Sequence, residues 1–235
     1  MSKCASAAGG RQLSVRLKTA RGRKTSSQRW LQRQLNDPYV TKSRDLGYRS
    51  RAAFKLLEMN EKVKFLGPGK RVVDLGAAPG GWTQVAIEIC KPEQTASYVL
   101  GLDLQEMEPI AGSTLLQLDF LQEDAEEIVL NALGGQQADV VLSDMAAFST
   151  GHAPTDHLKI MALAETAFCF AEKILSPGGT FLAKVLQGGT ENSLLSRLKQ
   201  SFKIVKHLKP PASRKDSSEM YVIGLEFKGR VINGG

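Results

Sequence analysis

The chain has 235 residues, 42% of them apolar but only 6% aromatic, and a net charge of +7. A domain of this length buries roughly 70% of its unfolded surface, so one α/β domain needs neither disulfides nor a structural metal. No stretch reaches the ~20 uninterrupted apolar residues of a membrane span, because Glu165, Glu172 and Lys173 break the richest segment, Ala162 to Leu175.

Cys4, Cys90 and Cys169 are scattered, as are His152, His157 and His207. Neither set has metal spacing or a disulfide pattern, so no metal site is expected and a reducing compartment fits. Charge is uneven along the chain. Residues 1–36 hold nine lysines and arginines and no acid, so the remainder sums to −2. A basic arm on a near-neutral domain points to a polyanionic partner. The Arg-rich, Ser-rich, acid-poor composition also fits a transit peptide, or a plain solvated tail; no secretory apolar core is read in it. The arm at 1–36 is therefore divided from a domain at 37–228 and a short tail at 229–235.

The first helical pattern, Arg49 to Glu61, sets Ala53, Leu56, Leu57 and Asn60 on one side and basic groups on the other. Beyond Gly67-Pro68-Gly69, strand and helix patterns alternate. Strand runs fall at Arg71–Leu75, Tyr98–Leu104, Thr114–Leu118, Ala138–Ser143, Thr180–Leu186, Phe202–Leu208 and Glu219–Phe227. Helical patterns fall at Gly81–Ile89, Gln122–Leu133, Asp156–Leu175 and Glu191–Ser201. Apolar strands with intervening helices predict a mostly parallel sheet covered on both faces. The last two strand runs lack a helix between them, so one of them can be antiparallel. No exposed apolar interface is read, and a monomer is expected.

The strongest motif runs from Val72 to Trp82, with Asp74 near the strand end and Gly76, Gly80 and Gly81 in the turn. Glycines at a strand-to-helix turn let backbone approach a ligand in the crevice beyond the strand. The spacing is neither a dinucleotide fingerprint nor a phosphate loop. A carboxylate at Asp74 would repel a pyrophosphate but attract the cationic amino-acid end of S-adenosylmethionine. Asp103 closes the second strand run, where an acid commonly holds ribose hydroxyls. Asp119 follows the third, where it could accept a hydrogen bond from an adenine amino group.

These residues resemble the FtsJ/RrmJ family of ribosomal RNA ribose 2′-O-methyltransferases, of the large-subunit (RlmE) type. The resemblance runs from Asp74 to Trp82 (DLGAAPGGW) and through Ser26–Val40, Arg49–Leu56 (RSRAAFKL), Leu142–Ala146 (LSDMA), Ser176–Gly188 and Ser217–Gly224 (SSEMYVIG). It implies a Rossmann-like class I methyltransferase sheet of seven strands, with S-adenosylmethionine as cofactor. It also implies a catalytic Lys-Asp-Lys-Glu set, which falls by motif on Lys55, Asp144, Lys184 and Glu219. The family's cofactor contacts fall on Gly80, Trp82, Asp103, Asp119 and Asp144.

The implied chemistry is coherent. A ribose 2′-hydroxyl attacks a sulfonium methyl only as its proton leaves. An ordinary lysine, with a pKa of ~10.4, is a poor base at neutral pH; burial and a second lysine would make it a better one. Lys184 interrupts an apolar run, with Phe181-Leu182-Ala183 before it and Val185-Leu186 after, and is the expected base. Asp144 is expected to set the charge of Lys184 and to touch the methionine end of the cofactor. Lys55 is expected to orient the hydroxyl or to contact a nearby phosphate, and Glu219 to position the lysines and the ribose. Arg29, Arg33, Lys42, Arg44, Arg49 and Arg51 could extend the basic arm into a track towards Lys55, with Trp30 and Tyr39 either stacking on bases or packing on the first helix.

Two places depart from the family pattern. Ala147-Phe148 stands where Pro-Asn is usual after LSDMA, and Ser217-Ser218-Glu219 lacks the usual arginine, with Arg214 nearby instead. The resemblance implies a uridine in the A-loop of 23S rRNA as substrate, the large ribosomal subunit as partner through the arm and first helix, and a bacterial cytoplasmic setting. Transfer RNA or mitochondrial rRNA, with a mitochondrial setting, are alternative targets. A non-catalytic RNA-binding assembly factor and a nucleotide-dependent oxidoreductase are the other classes considered.

Overall fold

A computed structural model describes residues 25–147, 150–187, 192–214 and 216–229. Its elements run α1 (Thr25–Leu35), α2 (Pro38–Asp45), α3 (Ala52–Val63), β1 (Val72–Leu75), α4 (Gly81–Cys90), β2 (Val99–Asp103), β3 (Thr114–Gln117), α5 (Ala125–Ala132), β4 (Ala138–Ser143), α6 (Ala153–Ile174), β5 (Leu175–Leu186), α7 (Asn192–Ser201), β6 (Phe202–Leu208) and β7 (Glu219–Phe227). The seven strands form one sheet in the order β3-β2-β1-β4-β5-β7-β6. Only β7 is antiparallel to its neighbours, β5 and β6. It is the mostly parallel sheet expected from the alternating apolar runs, in the Rossmann-like class I methyltransferase arrangement that the family resemblance implies.

Two apolar layers follow from strand alternation. Val72, Val140, Leu142, Leu182, Tyr221 and Ile223 pack under α3 and α4, with Ala53, Leu56, Met59, Trp82 and Val85. Val73, Leu75, Val141, Phe181, Ala183 and Val222 pack under α5, α6 and α7. β1 is buried at every position, as a central parallel strand covered on both faces must be. The chain reverses its direction of growth between β1 and β4, and the crevice beyond the carboxyl ends of such strands is where ligands bind in open α/β sheets.

Several elements differ from the sequence expectation. Helix α3 starts at Ala52 rather than Arg49; the Arg49 N–H and the Gly47 carbonyl are bonded instead to the Gln84 side chain of α4. β5 begins at Leu175, ahead of the expected Thr180, since Leu175 already pairs with Ala138 before a register shift. Helix α2 carries few apolar residues and has no periodic stripe to read. It is set instead by its start, where Pro38 occupies the first turn and the Asp37 carboxylate accepts the Tyr39 N–H at 3.1 Å. Residues 25–35, placed in the basic arm, form α1. Residues 1–24 of the arm, and all but the first residue of the tail 229–235, lie outside the described residues.

Candidate active site

Sheet register builds the site. In β4–β5 pairing Ser143 lies opposite Ala183, which sets Asp144 and Lys184 side by side one residue further on. In β5–β7 pairing Lys184 lies opposite Tyr221 and Leu186 opposite Glu219. Side chains two apart share a face, so Glu219 and Tyr221 point to the layer beneath α3. Helix α3 then delivers Lys55 from above. The result is a compact cluster. Lys184 Nζ lies 2.8 Å from Asp144 Oδ1 and donates to the Asp144 backbone oxygen, also at 2.8 Å. Lys55 Nζ lies 2.7 and 2.9 Å from the two oxygens of Glu219 and 3.9 Å from Asp144 Oδ2. Glu219 Oε2 also lies 3.9 Å from Lys184 Nζ.

The four side chains are only 8–17% exposed. Two ammonium and two carboxylate groups shielded in this way must compensate one another, because isolated buried charges are costly. Burial pushes the Asp144 carboxyl up, but the charges and hydrogen bonds of Lys184 and Lys55, with the Tyr221 hydroxyl, outweigh it and hold the group below its usual range. Tyr221 Oη donates to Asp144 Oδ1 at 2.7 Å and accepts from Lys55 Nζ at 3.1 Å. Burial first, then the charges of Asp144 and Glu219, raise its phenol well above the ordinary value, so it acts as a donor. Ser213 Oγ donates to Glu219 Oε1 at 2.9 Å and fixes the far carboxylate.

The glycine turn adjoins this cluster. Gly76 has φ +70°, and a Cβ there would fall 2.3 Å from Cγ of Met145, the residue after Asp144. Gly80, with φ +110°, starts α4, and a Cβ on it would meet Ile110 Cδ1 at 2.6 Å. A pocket of about 550 Å³ opens beside the turn, lined by Arg49, Ala78, Pro79 and Gln105 to Glu108. Asp103, at the end of β2, accepts from the Ala78 and Gln105 N–H groups at 2.9 Å each, and both oxygens keep capacity for a diol. Asp119 lies just beyond β3, exposed, with Oδ1 accepting from the Leu121 N–H at 3.0 Å. The first bond of α4 runs from Gln84 N–H to Gly80 O, so the Gly81 and Trp82 amides belong to the open helix terminus. Acids at the ends of β2, β3 and β4 around a glycine turn suit a cationic nucleoside such as S-adenosylmethionine.

Residues 48–227 match the family described as FtsJ-like methyltransferase. The chain belongs to this family. It is 61% identical to ribosomal RNA large subunit methyltransferase E of Parvibaculum lavamentivorans, over 94% of this chain and 90% of that protein. It is 58% identical to the protein of the same name from Roseobacter denitrificans, over 94% of each. Among solved structures, a ribosomal RNA methyltransferase from Plasmodium falciparum superposes with a TM-score of 0.69 at 31% identity, over 78% of this chain and all of that one.

In this FtsJ-like methyltransferase the structure brings Lys55, Asp144, Lys184 and Glu219 together and sets Gly80, Asp103 and Asp119 around the turn. Burial fixes what two of the residues singled out in the sequence can offer. Trp82 is 3% exposed; its indole N–H donates to the Ala52 carbonyl at 2.8 Å and its ring lies 5.7 Å from that of Tyr221. Any contact of Trp82 with a nucleoside therefore falls to its backbone. Asp74 is 1% exposed and accepts from Thr83 Oγ1 at 2.8 Å, so it ties β1 to α4 rather than offering a carboxylate to a cationic ligand.

The basic track is only partly present. Arg51 pairs with Asp37 and donates to the Ala212 carbonyl, and Arg214, the displaced arginine, lies 3.4 Å from Asp37. Arg49 is held by backbone carbonyls. Arg33, Lys42 and Arg44 remain on the surface. Tyr39 packs on α3, its ring 5.4 Å from Phe54 and its hydroxyl donating to Glu58 at 3.0 Å. Phe148 and the side chains of Arg29 and Trp30 lie outside the described residues. Sequence reasoning missed Tyr221. The available signal was its position two residues after Glu219 on one strand, which puts both on one face.

Proposed function

We propose that this protein transfers a methyl group from S-adenosylmethionine to a ribose 2′-hydroxyl of ribosomal RNA in the large subunit, at a uridine in the A-loop of 23S rRNA. The observation that carries the reading is the closed Lys55–Asp144–Lys184–Glu219 cluster beside the glycine turn. The bound cofactor supplies an electrophilic methyl on a sulfonium. The chain has to hold the acceptor oxygen in line with that methyl and give its proton somewhere to go. Lys184 Nζ, fixed by two oxygens of Asp144, takes the 2′-proton as a neutral amine, its own third proton having first left to solvent, or guides that proton's departure. Lys55, held by both oxygens of Glu219, orients the hydroxyl. Tyr221 and Ser213 keep the two carboxylates from turning away. Positioning of this kind supplies much of the rate in a bimolecular transfer.

The basic arm, with the exposed Arg33, Lys42 and Arg44, supplies phosphate contacts that bring rRNA to the cluster. Bacterial relatives named for a large-subunit ribosomal RNA methyltransferase support a cytoplasmic setting. The test is transfer of labelled methyl to large subunits lacking 2′-O-methylation. Label is expected in alkali-resistant dinucleotides, and Lys184→Ala is expected to lower it by about 10²–10⁴-fold while cofactor binding persists. Wild-type turnover in the variant would remove Lys184 as the base. Absence of label on subunits, free rRNA and tRNA, despite cofactor binding, would favour an assembly factor.

A further inference from the structure

The segment between β2 and β3 forms the outer wall of the pocket beside Asp103, with Gln105, Glu106, Met107 and Glu108 lining it. Among the described residues, the hydrogen bonds received by positions 106–109 come from one side chain. Arg49 Nη1 donates to the Glu108 carbonyl at 2.7 Å and Nη2 to the Pro109 carbonyl at 2.8 Å. Nη1 also reaches the Pro79 carbonyl at 3.3 Å, in the glycine turn across the pocket. The rigid fork of the guanidinium grips the Glu108 and Pro109 carbonyls with separate nitrogens while Nη1 also reaches Pro79, a geometry that the single ammonium of a lysine does not reproduce.

Arg49 is itself firmly seated. Its backbone N–H donates to Gln84 Oε1 at 2.8 Å, and Gln84 Nε2 donates to the Gly47 carbonyl at 3.0 Å. Its stem crosses Gly80 so closely that a Cβ on that glycine would lie 3.2 Å from Arg49 Cδ. The residue is thus anchored to α4 at its backbone and holds a loop of another strand connection with its head.

We infer that Arg49 is a positioning residue for the cofactor: it fastens segment 106–109 across the pocket and so sets the affinity for S-adenosylmethionine. The inference rests on the reading that this pocket receives the cofactor's nucleoside. Charge enters only through the carbonyls Arg49 grips, so its role differs from the phosphate contact that its place in a basic segment suggested.

Titration calorimetry of the full chain with S-adenosylhomocysteine, for wild type, Arg49→Ala and Arg49→Lys, tests it. Arg49→Ala is expected to raise Kd about tenfold, the scale of one or two missing hydrogen bonds. The peptide covering 104–110 should exchange its amide hydrogens faster in that variant. In methyl transfer the loss should fall on KM for the cofactor far more than on kcat or on KM for the ribosomal subunit. Arg49→Lys, which keeps one nitrogen and loses the fork, should recover part of the affinity. A Kd for Arg49→Ala within about twofold of wild type, less than one hydrogen bond is worth, would overturn the inference. Should Arg49→Ala fail to fold, the same Kd comparison on Arg49→Lys decides. Failure of the wild-type chain to bind S-adenosylhomocysteine would instead strike the functional reading beneath it.

Discussion

Two aspartates of the site respond to pH in opposite directions. Burial raises the Asp74 carboxyl from 3.8 to about 7; the Thr83 hydrogen bond opposes this, and the charges of Asp144 and Asp103 reinforce it. Folding therefore favours protonated Asp74, a contribution that is whole below 3.8 and fades as pH rises through about 7. For Asp144, held below its ordinary value, stability is present above that value and is lost as pH falls through the folded one. Asp74→Asn keeps an acceptor for Thr83 but removes the first titration. Its stability should gain on wild type between pH 4 and about 7, by on the order of a few kcal/mol. Urea melts across that range check this, and parallel curves for the two proteins would count against a buried, titrating Asp74. At this scale sequence spoke unevenly. Lys184 stood out as a charge in an apolar run, whereas Tyr221 looked like any core aromatic until strand register put its hydroxyl between Asp144 and Lys55.

Strands were legible because each is a short apolar run bounded by turn residues. β4, β6 and β7 fall at the residues expected from that pattern. What the pattern does not carry is order, and the insertion of β7 between β5 and β6 depends on packing. Gly224 shows one such requirement. The Phe202 ring lies over it, near the rings of Phe168 and Phe227, and a Cβ at 224 would come within 2.6 Å of the Phe202 ring. Gly224→Ala should cost about 1–3 kcal/mol through overpacking, visible in denaturant melts; an unchanged midpoint would mean that the ring moves aside freely. The segment before α3 was misread for a related reason. Arg49 and Arg51 look like a surface track in sequence, but their partners are backbone carbonyls and an aspartate from distant loops, which no local periodicity reports.

Over the whole molecule, basic and acidic character are separated. Residues 1–24 carry seven lysines and arginines and no acid, on a domain whose clustered Lys55, Asp144, Lys184 and Glu219 charges compensate one another. Removing 1–24 should weaken binding to ribosomal subunits and flatten its dependence on salt, by about 0.7–0.9 in log–log slope for each phosphate that the arm had neutralised. Affinity for S-adenosylhomocysteine should not move. An unaltered salt slope would assign the phosphate contacts to the domain surface instead.

The strand order also has a consequence for the protein's own synthesis. β6 leaves the ribosome before β7, yet among the described residues β7 is its sole neighbour in the sheet. Until the last strand emerges, β6 has nothing to pair with, and Lys55 and Lys184 lack Glu219 and Tyr221, the first of these lying 164 positions beyond Lys55. Such distant pairings form late. Insertion of one antiparallel strand thus closes the sheet and completes the Lys55–Asp144–Lys184–Glu219 cluster together, so a nascent or C-terminally clipped chain holds its two lysines without half of the groups that compensate them.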